Sequence, residues 1–355
     1  MERISLPVPI GALQELALAA FRCCGLNEAD AEAAAEVLVT TDAWGVYTHG
    51  TKSLRGYARR LRGGGLRADG RPQIVRQGPA WAVIDGDSSV GMVTARFAMR
   101  TAMDKARACG LGFTTVRNSC HFGAAGFYAW MAAREGMVGQ AMANDTASVT
   151  APGSRGPVLG SNPFAFAAPA GEEAPILLDI STAAVAGGKV RIAAAFGQPI
   201  PPTWLVDLQG APTLDPHLYP HAASLTPMAG HKGYGLALMI ETLSGLLSGA
   251  RLTQAIGSWI DSDPALPTDH GHAFLALDVG AFFPLDQYRQ RMDELIRQIR
   301  SAPKAQGQER IWLPGEKEWE AQAQARVHGI PLPADVRESL SGLIGDLGLA
   351  RPDWL

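Results

Sequence analysis

A histidine stands between an extended run and a helical run in Val116-Arg-Asn-Ser-Cys-His-Phe-Gly-Ala-Ala-Gly-Phe-Tyr128. Strand-forming residues Gly112–Val116 lead in and an apolar run from Phe127 through Met131 leads out, so His121, Gly123 and Gly126 fall in a strand-to-helix loop. Such loops present backbone N–H groups and titratable side chains to ligands in α/β proteins. A second histidine, His49, lies in Tyr47-Thr-His-Gly50, where Thr48 and Gly50 flank it at a helix start that faces a cleft. A neutral imidazole has the pKa for general acid–base work near pH 7. In Gly230-His-Lys-Gly-Tyr-Gly235 bare amides and Lys232 open another helix. That arrangement is either an anion site helped by the helix dipole or a tight junction with a solvated lysine. Together the three segments suggest an enzyme.

The other reactive side chains are weighed by context. Asp179 ends the apolar run Ile176-Leu-Leu-Asp179, where an ionised carboxylate is costly unless paired. Pairing with an imidazole would raise that imidazole's basicity, whereas the structural alternative is a cap on the Ser181-Thr182 turn. Cys120 adjoins His121, but strand neighbours point to opposite faces, which weakens a cysteine nucleophile. His270 and His272 flank Gly271 and could bind a metal; hydrogen bonding in a turn is the simpler role.

These groups need elements to position them. Leu13, Leu16, Ala20 and Phe21 mark one helical face and Ala31, Ala34, Val37 and Leu38 another, with Asn27 placed as an N-cap. A third helix is expected around 50–62, stopped by Gly63-Gly-Gly65. Strands are expected at 81–85, 112–116, 137–142, 165–169, 176–179 and 273–278, and helices at 93–108, 232–247, 285–299 and 335–347. Gly197–Pro227, rich in Pro and Gly, reads as a long ordered excursion. The alternation argues α/β, yet Gly-x-Gly-x-x-Gly and a phosphate loop are both missing.

Composition narrows the partners. In 355 residues 47% are hydrophobic and 18% charged, enough for more than one core. A net charge of −3 offers no basic face for nucleic acid. No apolar run approaches the roughly 20 residues of a membrane span, and the first residues lack a secretory apolar core. Cys23, Cys24, Cys109 and Cys120 have neither zinc nor disulfide spacing, consistent with a reduced, cytoplasmic setting.

The same residues carry a resemblance. Gly45–Gly50, Asn118–Gly126, Val158-Leu-Gly-Ser-Asn-Pro163, Leu178-Asp-Ile-Ser-Thr182, Gly230–Gly235, Asp269-His-Gly-His272 and Leu313-Pro-Gly-Glu-Lys317 run in order over nearly the whole chain. They resemble the malate/L-lactate dehydrogenase family that is unrelated to Rossmann-type lactate dehydrogenases. That family includes sulfolactate, ureidoglycolate and diketogulonate oxidoreductases and Δ1-piperideine-2-carboxylate reductases. The resemblance implies a non-Rossmann, mixed-sheet NAD(P)-binding α/β domain over 76–299. It also implies a helical domain built from both chain ends, 1–75 with 300–355, and a homodimer.

The resemblance makes His49 the proton donor and places His121 and Gly123 beside the nicotinamide, with Asn162 and Pro163 shaping the wall. Ile176, Leu177, Leu178, Asp179, Ile180, Ser181 and Thr182 match cofactor contacts, as do His231, Lys232, Gly233, Gly315, Glu316 and Lys317. The cofactor would be NADH or NADPH, with Lys232 or Arg191 as candidates for a 2′-phosphate.

Many relatives carry arginine where this chain has Ser53, so Lys52 and Arg55, near Thr48, become the candidates for a substrate carboxylate. The expected reaction is hydride transfer to a 2-oxo acid or a cyclic 2-imino acid, with Asp179 paired to His49 and His121 orienting the carbonyl. Rival readings are a catalytically silent dinucleotide-binding paralogue and a metal-dependent hydrolase built on His49, His121, His270 and His272.

Overall fold

The computed structural model describes residues 6–355. Helices α1 (Ile10–Cys23), α2 (Glu28–Ala43) and α3 (Leu54–Gly63) lead the chain. Asn27 caps α2 by accepting the Asp30 N–H, and Gly64 ends α3 with φ of 94°, as their positions in the sequence imply. Between α2 and α3 the chain makes 3₁₀ turns at Tyr47–His49 and Thr51–Ser53, so His49 lies on a tight turn before the helix rather than at its start.

Strands β1 (Gln73–Gly78) and β2 (Trp81–Asp85), helix α4 (Gly91–Cys109), β3 (Leu111–Ser119), α5 (Ala125–Arg134) and β4 (Met137–Ala143) follow. Next come β5 (Val149–Thr150), β6 (Pro157–Leu159), β7 (Phe164–Ala168), β8 (Ile176–Ile180) and α6 (Gly187–Ala195). Then β9 (Leu205–Asp207), β10 (Pro212–Thr213), β11 (Ala223–Leu225), α7 (His231–Ile240) and β12 (His270–Asp278) complete the strands. The chain closes with α8 (Val279–Phe282), α9 (Leu285–Ser301), α10 (Glu316–His328) and α11 (Ala334–Leu347). The helix expected to run through to residue 247 loosens into a π turn over Glu241–Leu246.

The larger sheet has the order β1-β2-β3-β12-β4-β7-β8, with β2 and β3 parallel and every other pair antiparallel. It is mixed, as expected for the non-Rossmann fold. The expected neighbours β7 and β8 pair directly, Ala165 opposite Asp179. A smaller sheet, β10-β9-β11-β5-β6, is made largely from the Pro- and Gly-rich excursion. Phe274 and Ala276 of β12 join a core shared with α2, α4 and α5, while Ala273, just before Phe274, turns to the other face and packs with Ile240. That alternation is the pleat of a strand covered on both faces.

Strand direction gathers the chemistry. β3, β4 and β8 end, and β12 and β7 begin, at one end of the larger sheet: His270 pairs with Ser119, His272 with Ala143, and Phe164 with Ile180. The N-terminal helices stand over that end, and the C-terminal helices pack on them, α10 on α2 and α11 on α1 and α3. Val336, Leu340, Leu343 and Ile344 of α11 are buried there. Among the described residues no helix is long and apolar enough to cross a membrane.

Candidate active site

A cavity of about 980 Å³ lies where the 3₁₀ turns, the end of the larger sheet and the smaller sheet meet. Of the expected residues it is lined by Thr48, His49, Lys52, Arg55, His121, Gly123, Pro163, Asp179, Ile180, Ser181, Arg191, His270 and His272.

Asp42 at the end of α2 holds the His49 turn in place. It is 1% exposed, and one carboxylate oxygen accepts the Thr51 N–H at 3.0 Å and the Thr51 hydroxyl at 2.5 Å. Its other oxygen has no partner and rests against Gly50, where a Cβ would stand 1.8 Å away. Burial raises the Asp42 pKa to about 7, against the two Thr51 bonds.

The two histidine rings stack, 5.5 Å apart and inclined by 27°. His121 is further sandwiched by Trp259, whose ring lies 4.2 Å away and is nearly parallel at 12°. Arg60 fixes the Trp259 loop by donating to the carbonyls of Trp259, Ser258 and Leu266. Nδ1 of His121 receives the Tyr57 hydroxyl at 2.5 Å and the Gly123 N–H at 3.4 Å. Since an amide can only donate, Nδ1 is an acceptor and the ring proton sits on Nε2. Burial, then the neighbouring histidines, holds the His121 pKa well below its usual value, so it is a neutral N–H donor.

His49 has its Nδ1 2.9 Å from the Thr48 hydroxyl, and its other ring nitrogen has no protein hydrogen bond among the described residues. Burial lowers its pKa, and the negative charge of Asp145 opposes that shift. The expected pairing of Asp179 with the His49 imidazole, direct or through water, is not made directly. Asp179 instead accepts the Gly126 N–H at 2.7 Å, at the start of α5, where a Cβ on residue 126 would meet the same oxygen at 2.8 Å. The Asp179 carboxyl opens on the cavity, yet protein packed densely behind it desolvates it and raises its pKa to about 6.

Asp145 follows β4 and lines the same cavity. His270 Nε2 lies 3.2 Å from its Oδ1, and His270 Nδ1 lies 2.9 Å from the Thr268 hydroxyl. His272 bonds Ser119 at 3.0 Å and stacks on Phe122. Among the described residues no group of three or more His, Cys, Asp or Glu side chains is arranged to hold a metal ion. The histidine cluster therefore lacks the ligand set that a hydrolytic metal centre needs.

Lys52 and Arg55 line the cavity already paired, Lys52 with Asp335 at 2.6 Å and Arg55 with Asp346 at 2.7 Å. Both pairs are substantially exposed, so they are worth little and can exchange for a substrate carboxylate.

Several expected cofactor contacts have other work. The Asn162 amide donates to Ala237 O and Glu241 and accepts the Asp145 N–H. Thr182 donates its N–H and hydroxyl to Ser161 O. Glu316 is held by Arg300, Arg310 and the Leu313 N–H. Gly233 is buried against Met228, while His231 and Lys232 are exposed and lie outside the cavity lining.

Gly315 and Lys317 also lie outside the cavity lining, but their loop is tied to it through β8. Leu177 N–H donates to Pro314 O at one end of that edge strand, and Asp179, Ile180 and Ser181 reach the cavity at the other. Leu178 lies between these two ends and Ile176 just before Leu177, both partly exposed.

Sequence reasoning missed Tyr57, Trp259 and Asp145 as site residues. Tyr57 reads as core on α3, and Trp259 sits in an irregular segment with no period. Asp145, just past a strand end, carried the same signal that singles out His121.

The sequence matches the malate/L-lactate dehydrogenase family over residues 8–341. A malate dehydrogenase of Pyrococcus abyssi is 36% identical over 332 residues, covering 92% of this chain and 90% of that protein. A ureidoglycolate dehydrogenase (NAD(+)) of Escherichia coli is 33% identical over 316 residues, covering 89% of each chain. A Δ1-pyrroline-2-carboxylate/Δ1-piperideine-2-carboxylate reductase of Pseudomonas putida is 30% identical over 338 residues, covering 95% and 97%. The crystal structure of malate dehydrogenase from Entamoeba histolytica superposes with a TM-score of 0.91 at 30% identity, covering 98% of this chain and 99% of that one.

Proposed function

The chain belongs to the malate/L-lactate dehydrogenase family and is an oxidoreductase, and from that premise we propose that it reduces a small 2-oxo or cyclic 2-imino acid with NADH or NADPH, His49 being the proton donor. The observation that carries this reading is the stacked pair of imidazoles in one cavity, His121 as a neutral donor and His49 with an uncommitted ring nitrogen.

The residues present fit a nicotinamide dinucleotide. The cavity has room for a ring and a small acid together, and β8 links it to the loop before Gly315. His121, Gly123, Pro163, Ile180 and Ser181 would hold the nicotinamide end, and Ile176, Leu178, Lys232, Gly315 and Lys317 the remainder. When bound, the nicotinamide supplies the hydride in reduction and accepts it in oxidation.

His49 delivers a proton to the oxygen or nitrogen of the substrate as charge develops there. Where the reacting atom is a carbonyl oxygen or an unprotonated imine nitrogen, the Nε2–H of His121 hydrogen-bonds it and polarises the double bond. Lys52, with Arg55 beside it, leaves its acidic partner to hold the substrate carboxylate. Asp179 steadies the start of α5 through Gly126. The working unit we infer is a homodimer; Leu238, Met239, Leu246 and Leu247, exposed along α7 and its π turn, support this by offering an apolar face.

Absorbance at 340 nm, followed with NADH and NADPH separately against pyruvate, oxaloacetate and Δ1-piperideine-2-carboxylate, tests the reading. Replacing His49 by alanine should lower turnover by roughly 10²–10⁴ while dinucleotide binding persists. Turnover close to wild type would remove His49 from the mechanism.

A further inference from the structure

Asp145 is the most deliberately placed acid in the cavity. Its backbone N–H donates to Asn162, and Asn144 before it accepts the Gly271 N–H at 2.7 Å. Both amides are fully buried and both donate to Glu241 of the π turn, itself 4% exposed. On the side chain, Oδ1 takes the Thr146 N–H at 2.8 Å and faces His270 Nε2. Oδ2 has only the Ser161 hydroxyl at 3.4 Å. A carboxylate oxygen can accept two bonds, so Oδ2 keeps acceptor capacity. The side chain is 28% exposed and lines the cavity beside His49. Among the described residues no lysine or arginine pairs with it. Of the basic side chains that line the cavity, Lys52, Arg55 and Arg59 belong to the second 3₁₀ turn and α3, and Arg191 of α6 sits against Tyr219.

We propose that the Asp145 carboxylate recognises an N–H or cationic nitrogen next to the reacting carbon, so that this site selects a cyclic imino acid over a dicarboxylic 2-oxo acid. The inference rests on the reading of the cavity as the reducing site. The substrate's carboxylate goes to the side of Lys52, Arg55 and Arg59, and the nitrogen faces Asp145, the acid beside His49; a second carboxylate set directly against Asp145 would be repelled. A protonated imine carries its N–H before hydride adds to carbon, and the amine formed takes one proton to become an ammonium. Asp145 Oδ2 accepts from the nitrogen in both states. The charge-assisted bond it makes is the stronger kind.

The test is equilibrium binding of pipecolate, an ammonium carboxylate, and malate, a dicarboxylate, measured by calorimetry on the full chain with and without dinucleotide. Wild type should bind pipecolate at least about tenfold more tightly, and Asp145→Asn should erase most of that preference. Tighter binding of malate by wild type, an unchanged preference in the variant, or binding of neither acid overturns the proposal. Quenching of tryptophan fluorescence by NADH and NADPH is read on the same samples. Its absence would strike the hydride-transfer reading, whereas the acid preference strikes or supports Asp145 alone.

Discussion

At the scale of single residues, the state of His121 is decided by a phenol more than sixty positions away. The Tyr57 hydroxyl is kept protonated by burial, which raises its pKa well above the usual value, so it remains a donor to Nδ1. Replacing Tyr57 by phenylalanine leaves only the long Gly123 contact to fix the tautomer. Turnover should then fall about tenfold, the scale of a lost net hydrogen bond of roughly 1.5 kcal/mol, with dinucleotide affinity unchanged. Nitrogen-15 spectra of the histidines would show the two tautomers mixing; a single unchanged tautomer would assign Tyr57 to packing.

Asp179 titrates near pH 6, and above that pH its carboxylate accepts the Gly126 N–H. Activity should therefore gain a limb near pH 6 that Asp179→Asn lacks, seen in the pH profile of kcat/KM. His49 and His121 were legible because their flanking glycines and strand ends are local signals. The Tyr57 and Trp259 contacts were not, because they are made across the fold.

At the scale of elements, the junction between α2 and α3 depends on one buried carboxyl. The folded Asp42 pKa, about 7, lies above its unfolded value of roughly 3.9. The unfolded chain therefore loses this proton first as pH rises. The group's stabilisation is complete below about pH 4 and declines through the window up to about pH 7, by roughly 1.4 kcal/mol per unit at most. Asp42→Asn should flatten that part of the dependence, measured as the difference between wild-type and variant urea midpoints from pH 4.5 to 8. Equal slopes would mean that folding does not raise the Asp42 pKa.

Periodicity located α1, α2, α4, α9 and α11, whose apolar faces repeat, and the longer strands, whose apolar runs are continuous. It was blind to β1, whose side chains are mostly exposed, and to the strands of the smaller sheet, which are two or three residues long. A two-residue strand has no period to read. The 3₁₀ turns and the π turn arise from tertiary demands, the Asp42 clamp and the Glu241 network, rather than from propensity.

At the scale of the whole molecule, the absent glycine fingerprint excluded an ordinary Rossmann domain. The mixed sheet and the joining of both chain ends came from the resemblance and not from any residue pattern. The joint is energetically decisive. Four buried aliphatic side chains of α11 contribute roughly 6–12 kcal/mol by burial, comparable with the about 5–15 kcal/mol net stability of a domain. Deleting α11 should therefore abolish cooperative unfolding rather than merely lower activity, as calorimetry would show; a truncated chain with a sharp thermal transition would contradict this. Sedimentation should find twice the chain mass for the whole protein, and Leu246→Glu with Leu247→Glu should shift it to the monomer if α7 forms the interface.

The packing of α11 against α1 and α3 also sets a timetable during synthesis. His49 leaves the ribosome long before α11, the helix that completes its surroundings. Until then α1–α3 carry an uncovered apolar face, the kind of transiently exposed surface that favours association between incomplete chains. A chain cut short before Ala334 therefore lacks the helix that closes the surroundings of His49.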